Sequence, residues 1–188
     1  LPSLEGAVTV ETVAGPLYIQ ADDTIIRPHL ESGGIWSPEL TQLVRDSVHA
    51  GGRFVDVGAH VGYFTALAAQ LVGPNGVVFA FEPHPRNFEL LLANVWRNGL
   101  MNVLCFPWAV IDSCGFAELF EARGNTGDHR LYRSDDEERK AVSVRTVALD
   151  ALATLRPPVD FVKLDIQGAE PAAMQGMERL LASSPDVT

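Results

Sequence analysis

Arg53-Phe-Val-Asp-Val-Gly-Ala-His-Val-Gly-Tyr-Phe-Thr65, followed by Phe79-Ala-Phe-Glu-Pro-His-Pro85, decides the fold. Phe54, Val55 and Val57 are apolar and prone to extended structure, so the first run reads as a strand covered on both faces. Gly58 and Gly62 bracket a turn. The Ala- and Leu-rich segment from Tyr63 onward then favours a helix. The second run is the next strand, tipped by Glu82. Strand, glycine turn, helix and acid-tipped strand together describe the ligand-binding rim of an open α/β sheet.

The details of the turn select the ligand. A dinucleotide fingerprint places glycines in the pattern G-x-G-x-x-G, so that pyrophosphate can rest on bare backbone. Counted from Gly58, the second and third of those positions hold His60 and Tyr63, whose side chains would crowd a pyrophosphate. The remaining D-x-G-x-x-x-G suits a ligand without phosphate but with a charged amino-acid end, which favours S-adenosylmethionine. Asp56 is placed to attract the ammonium of a methionine moiety, and the free N–H groups of the following helix its carboxylate. Glu82 offers two carboxylate oxygens to the vicinal hydroxyls of a ribose. The expected cofactor-binding set is Asp56, Gly58, Ala59, His60, Gly62 and Tyr63, with Glu82 and Pro83 after the second strand.

With these residues in place the chain resembles the FkbM family of S-adenosylmethionine-dependent methyltransferases, most of whose members methylate oxygen. The resemblance runs over residues 36–181. Its strongest pieces are the Asp56 turn, Ala80-Phe-Glu-Pro-His-Pro85, Asn87-Phe-Glu-Leu-Leu91 and Asp160-Phe-Val-Lys-Leu-Asp-Ile-Gln-Gly-Ala-Glu170. It implies that Asp56, Gly58 and Glu82 hold the cofactor, and that Trp36 and Glu39 lie beside the cleft. Where the family usually has Glu, this chain has Gln167.

Outward from the core motif, Val8, Val10 and Val13 lead into Ala14-Gly-Pro16, after which Leu17, Tyr18 and Ile19 return as a hairpin. Residues 1–35 are thus expected as an N-terminal extension and 36–188 as the methyltransferase domain. Ser37-Pro38-Glu39 opens a helix with a capping serine, and Leu40, Leu43, Val44 and Val48 form its apolar stripe. A second helix over 85–98 presents Phe88, Leu91, Leu92 and Val95. Val103-Leu-Cys-Phe106 is the third strand. Ala109 and Val110 are expected to form an adenine slot, with the amine left to backbone carbonyls or Asp112. An antiparallel excursion occupies 116–146, using Phe116-Ala-Glu-Leu-Phe120, Leu131-Tyr132 and 142–147; its polar glycine-rich loop over 124–130 resembles the family's asparagine-glycine loop, which implies a place near the cleft. The charge run 135–140 reads as a solvated hairpin tip. Phe161-Val-Lys-Leu-Asp-Ile166 is the fourth parallel strand, beside the first, and one helix spans 169–182. The fold class is a Rossmann-like, doubly wound, mostly parallel sheet truncated after the fourth strand and its helix. The exposed edge this leaves is a hazard, so a second copy or a partner chain covering it is the alternative to truncation.

Composition narrows the function. Acidic residues outnumber basic ones 24 to 14, for a formal charge of −10. That argues against a nucleic-acid substrate, because polyanions are held by Lys and Arg. Arg123, Arg130, Arg133, Arg139, Lys140 and Arg145 gather in one region, but interleaved acids make it a solvated face. No apolar run approaches the ~20 residues of a membrane span, and no signal peptide is visible. Two cysteines, Cys105 and Cys114, are too few for a disulfide framework and fit near-core positions in a reducing, cytoplasmic compartment. No His/Cys spacing argues for a metal. The expected reaction is displacement at a sulfonium methyl by a hydroxyl of a small molecule, sugar or natural product. Asp165 is the first candidate base, with His60 and Glu170 behind it. Asp56, Asp165 and Glu170 could alternatively converge on a metal. Competing readings are an NAD-dependent oxidoreductase and a catalytically silent cofactor-binding module of a larger assembly.

Overall fold

A computed structural model describes residues 2–122, 124–133 and 139–188. Arg123 and residues 135–138 of the charge run lie outside them.

The central sheet has four parallel strands. β3 (Arg53–Val57) pairs with β4 (Val77–Phe81) on one side and β9 (Phe161–Leu164) on the other, and β5 (Val103–Phe106) extends the β4 side. The order β5-β4-β3-β9 puts strand reversal beside β3, where a doubly wound sheet binds its ligand. Strands β3 and β4 are buried on both faces, as their unbroken apolar runs require. The crossovers are α3 (Tyr63–Val72), buried along most of its length, and α4 (Pro85–Arg97). On α4 the inward residues are Asn87, Leu90, Leu91, Ala93 and Asn94; Leu92 faces outward.

The N-terminal hairpin is present as β1 (Ala7–Val10) and β2 (Leu17–Gln20). Its Val10, Leu17 and Ile19 share one apolar cluster with Phe54, Ala66, Leu67 and Phe161, so the extension is built into the core of the fold. Asn94 fastens it further, accepting from Tyr18 N at 2.6 Å and donating to Tyr18 O at 3.0 Å. A helix absent from the expectations follows, α1 (Ile26–Gly33). In α2 (Pro38–Ser47), Ser37 stands at the cap position with φ 44° but makes no capping bond, and Thr41 and Val44 are the buried pair while Leu43 is exposed.

The excursion forms a second sheet, β6 (Trp108–Val110), β8 (Ala141–Val147) and β7 (Gly115–Phe120), in the order β6-β8-β7. Leu131-Tyr132 is no strand; only an isolated bridge joins Arg130 to Phe120. The expected final helix is two, α5 (Glu170–Gln175) and α6 (Glu178–Ala182). They are split where a side chain at Gly176 would meet Ile111 O at 2.0 Å. The outer edge of β9 is engaged: Val162 N donates to Thr188 O at 3.0 Å and Thr188 N to Asp160 O at 3.1 Å. Among the described residues no helix is long and apolar enough to cross a membrane. Cys105 is half-buried, its thiol pushed up to about 12 by burial, whereas Cys114 is exposed, contrary to the near-core expectation.

Candidate active site

A cleft of about 150 Å³ opens where β3, β4 and β9 end. Its floor comes from Gly58, Ala59 and His60 of the β3–α3 turn with Tyr63 at the start of α3, and from Phe81 at the end of β4 with Glu82 and Pro83 beyond it. Trp108, Ala109 and Val110 of β6 form one wall, and Lys163, Asp165 and Gln167 line the β9 side. Ile25, Ile26, Leu30 and Trp36 close it from the N-terminal segment, together with Asn125, Thr126 and His129 of the adjoining loop.

Each turn residue has a local reason for its place. Gly58 has φ 78°, and a Cβ there would lie 2.1 Å from Asp165 O, so only glycine lets β3 and β9 close together at the rim. Gly58 N and Ala59 N both donate to Phe81 O, at 3.0 and 2.9 Å. Gly62 caps α3 and does not line the cleft; a Cβ there would meet Leu91 at 2.6 Å. Tyr63 is braced through its hydroxyl, 3.1 Å from Thr41 Oγ1.

Glu82 is 5 % exposed and accepts one N–H on each oxygen, His60 N at 2.8 Å and His84 N at 2.9 Å. Burial pushes its pKa up to about 7, against the opposing pull of those two backbone donors. A carboxylate has about four lone-pair sites, so beyond these two bonds and the Asn87 side chain, which also pulls its pKa down, Glu82 keeps acceptor capacity at the cleft.

His60 is held in the left-handed region, φ 53°, and its Nε2 lies 2.8 Å from Thr126 Oγ1. Thr126 donates its own proton to the buried carboxylate of Asp23 and therefore accepts from His60 Nε2–H. The lone pair of His60 thus sits on Nδ1. Burial drives its pKa down to about 4, so the ring is neutral at pH 7. Gln167 also has positive φ, 56°. Two of the three non-glycine residues with positive φ among those described therefore line this cleft, where strain commonly gathers.

Asp165, first beyond β9, is exposed to the cleft; its Oδ1 accepts from Gln167 Nε2 at 2.8 Å. Two other expected carboxylates lie elsewhere. Asp56 is fully buried behind the cleft, one oxygen taking the Thr65 hydroxyl at 2.7 Å and the other Lys163 Nζ at 3.0 Å, so its oxygens face protein partners where a ligand ammonium was expected. Glu170 accepts from Ile166 N and Gly168 N at 3.0 and 2.8 Å, which holds its pKa down despite burial, and it lies outside the lining. These three carboxylates do not converge, and among the described residues no group of three or more His, Cys, Asp or Glu gathers as a metal site. Asp112 and Glu39 are likewise exposed and away from the cleft. The basic region is knitted by acids: Arg130 and Arg139 pair with Asp128 at 2.8 and 2.9 Å, and Lys140 with Glu121 at 3.8 Å.

A family model described as the methyltransferase FkbM domain matches residues 56–187. The chain belongs to the FkbM methyltransferase family. A solved FkbM methyltransferase from Methylobacillus flagellatus KT superposes with TM-score 0.50 and 18% identity, covering 83% of this chain and 39% of that one. A putative rRNA-methylase from Clostridium thermocellum gives TM-score 0.50 at 16% identity, over 78% and 61%. Among curated proteins, the protein-L-isoaspartate O-methyltransferase of Methanococcoides burtonii is 32% identical over 105 residues, 55% of this chain and 46% of its own length. The tRNA (adenine(58)-N(1))-methyltransferase catalytic subunit TRM61 of Cryptococcus neoformans is 32% identical over 89 residues, 42% of this chain and 21% of its own. The chain spans less than half the length of the curated relatives it matches. The solved structures share the Rossmann-like fold. The FkbM chain's cofactor is S-adenosylmethionine, which displaces the NAD reading. The cleft fits that group: a buried carboxylate with spare acceptor capacity, an apolar wall at Trp108–Val110, and a turn that admits only glycine at its closest approach.

Proposed function

We propose that this chain transfers a methyl group to the oxygen of a hydroxyl on a small molecule, sugar or natural product. One observation carries the reading: Glu82 and Asp165, each the first residue beyond its strand, face the same cleft from β4 and β9, on either side of β3. When bound, S-adenosylmethionine supplies an electrophilic methyl on a sulfonium sulfur. Glu82 would accept hydrogen bonds from its two ribose hydroxyls, and Trp108–Val110 would offer an apolar wall to its adenine. Asp165 keeps Oδ2 free of protein partners among the described residues, and there it takes the proton of the attacking hydroxyl. His60, neutral and bare at Nδ1, is the reserve acceptor. Orientation of the two reactants supplies the larger part of the rate.

Two of the relatives are named for methylation of tRNA adenine and of protein L-isoaspartate. For this chain the surplus of acids and the pairing of Arg130, Arg139 and Lys140 with Asp128 and Glu121 favour neutral or cationic acceptors over a polyanion. The test is turnover of hydroxylated sugars, phenols and polyketides with S-adenosylmethionine, read as S-adenosylhomocysteine release and an O-methylated product. Asp165→Asn should lower kcat by about 10²–10⁴ while S-adenosylhomocysteine still binds. Methylation of tRNA nitrogen or isoaspartyl protein alone, or cofactor binding without transfer to any acceptor, overturns the proposal.

A further inference from the structure

Lys163 is a lone cation in an apolar strand, paired in register with Asp56 on β3. Its side chain is 5 % exposed, with Nζ 3.0 Å from Asp56 Oδ1 and 2.8 Å from Gly58 O, and 5.5 Å from the centre of the Phe64 ring. An ammonium has three N–H donors, and those two oxygens occupy two of them. The pair is asymmetric. Lys163 lines the cleft, whereas Asp56 lies behind it, its second oxygen turned to Thr65. The cleft therefore meets the positive end of the pair. Stability gives no reason for this arrangement, because two well-packed apolar side chains would hold neighbouring strands as well as a buried ion pair. A ligand that brings an anion to the Gly58 turn does give one.

We propose that Lys163 binds the α-carboxylate of the methyl donor, a claim that rests on the reading of the cleft as an S-adenosylmethionine site. Asp56 then becomes the positioning residue: it holds the ammonium at the rim and offsets its charge when the cleft is empty. The amino-acid end of the cofactor is read by a cation on β9, with the β3 aspartate as its support.

The experiment deletes the interaction from both sides. S-adenosylhomocysteine and its decarboxylated analogue, which lacks only that carboxylate, are titrated calorimetrically into the protein, into Lys163→Met, and into the double variant Asp56→Asn/Lys163→Gln. The double variant keeps neutral hydrogen-bonding groups at both buried positions in case the single change unfolds the chain. The unmodified protein should prefer the carboxylated ligand by about 10–100-fold, the worth of one charge-assisted hydrogen bond. Both variants should lose that preference while binding the decarboxylated analogue within about threefold of the unmodified protein. A preference that survives in folded variants overturns the assignment, as does an equal loss of both ligands or no preference in the unmodified protein. Failure of the unmodified protein to bind either ligand would instead remove the S-adenosylmethionine reading beneath it.

Discussion

Glu82 serves the fold and the cleft with the same two oxygens. Each one fastens a backbone N–H of the rim, and the carboxylate as a whole lines the cleft. Replacing it with Gln turns one acceptor into an NH₂ group that opposes a backbone N–H, and removes the charge that strengthens both bonds. Glu82→Gln should weaken S-adenosylhomocysteine binding by about 10–100-fold. The sign of the pH effect follows from the pKa raised to about 7. Hydroxyl donors need the ionised carboxylate, so affinity should rise from pH 6 to pH 8 and the Gln variant should lose that slope. Titration calorimetry across this range checks both, and an affinity that falls with pH would show that Glu82 meets the ligand protonated.

At the scale of elements, Asp23 joins what the sequence alone left separate. One oxygen accepts from Ile25 N, Ile26 N and Arg27 N at 2.9, 2.5 and 3.1 Å, forming the start of α1, and the other accepts from Thr126 N at 3.0 Å and from its hydroxyl. Asp23→Ala should cost about 1–2 kcal/mol, the range for a lost helix cap. It should also speed amide exchange together over residues 24–33 and 124–128; faster exchange confined to α1 would show the loop to be held independently. Helix α1 is hard to read from sequence because Pro28 in its first turn resembles a breaker and only Ile26 and Leu30 of its residues are buried. The break between α5 and α6 was equally hidden, since the carbonyl that forbids a side chain at Gly176 belongs to Ile111, far away in sequence. By contrast β3, α3, β4 and β9 were legible because apolar runs, glycine turns and alternation are local signals. Asp56 shows the limit of that reading. Its strand and position were evident, but its partner Lys163 arrives from 107 residues on, and only the sheet order brings the two together.

For the molecule as a whole, three buried imidazoles and the Glu82 carboxyl set the response to acid. Burial lowers His60 to about 4 and His129 to about 3, from 6.5, while it raises Glu82 from 4.5 to about 7. The depressed imidazoles contribute stability that is present above pH 6.5 and lost as pH falls toward 4 and 3. The raised carboxyl works in the opposite sense, favouring the fold below pH 4.5 and ceasing to do so as pH rises through 7. Between pH 4.5 and 6.5 two histidines outweigh one glutamate, and His84, also lowered by burial, adds to their side. Unfolding near the middle of that window should take up about one proton, so Tm should be lower at pH 5 than at pH 7. A scanning-calorimetry series with a flat or opposite trend would mean that the imidazoles are not held neutral.

Thr126 meets Asp23, His60 and Asn87 across sequence separations of 103, 66 and 39 residues. Ring closures of that length are entropically slow to form, whereas the hairpin and each crossover helix assemble from neighbours. The ceiling of the pocket is consequently a latecomer in the chain's own assembly. The pairing of β9 with β3 closes over as long a span, 107 residues between Asp56 and Lys163, so by the same reasoning the sheet gains its fourth strand no sooner than the pocket gains its cover.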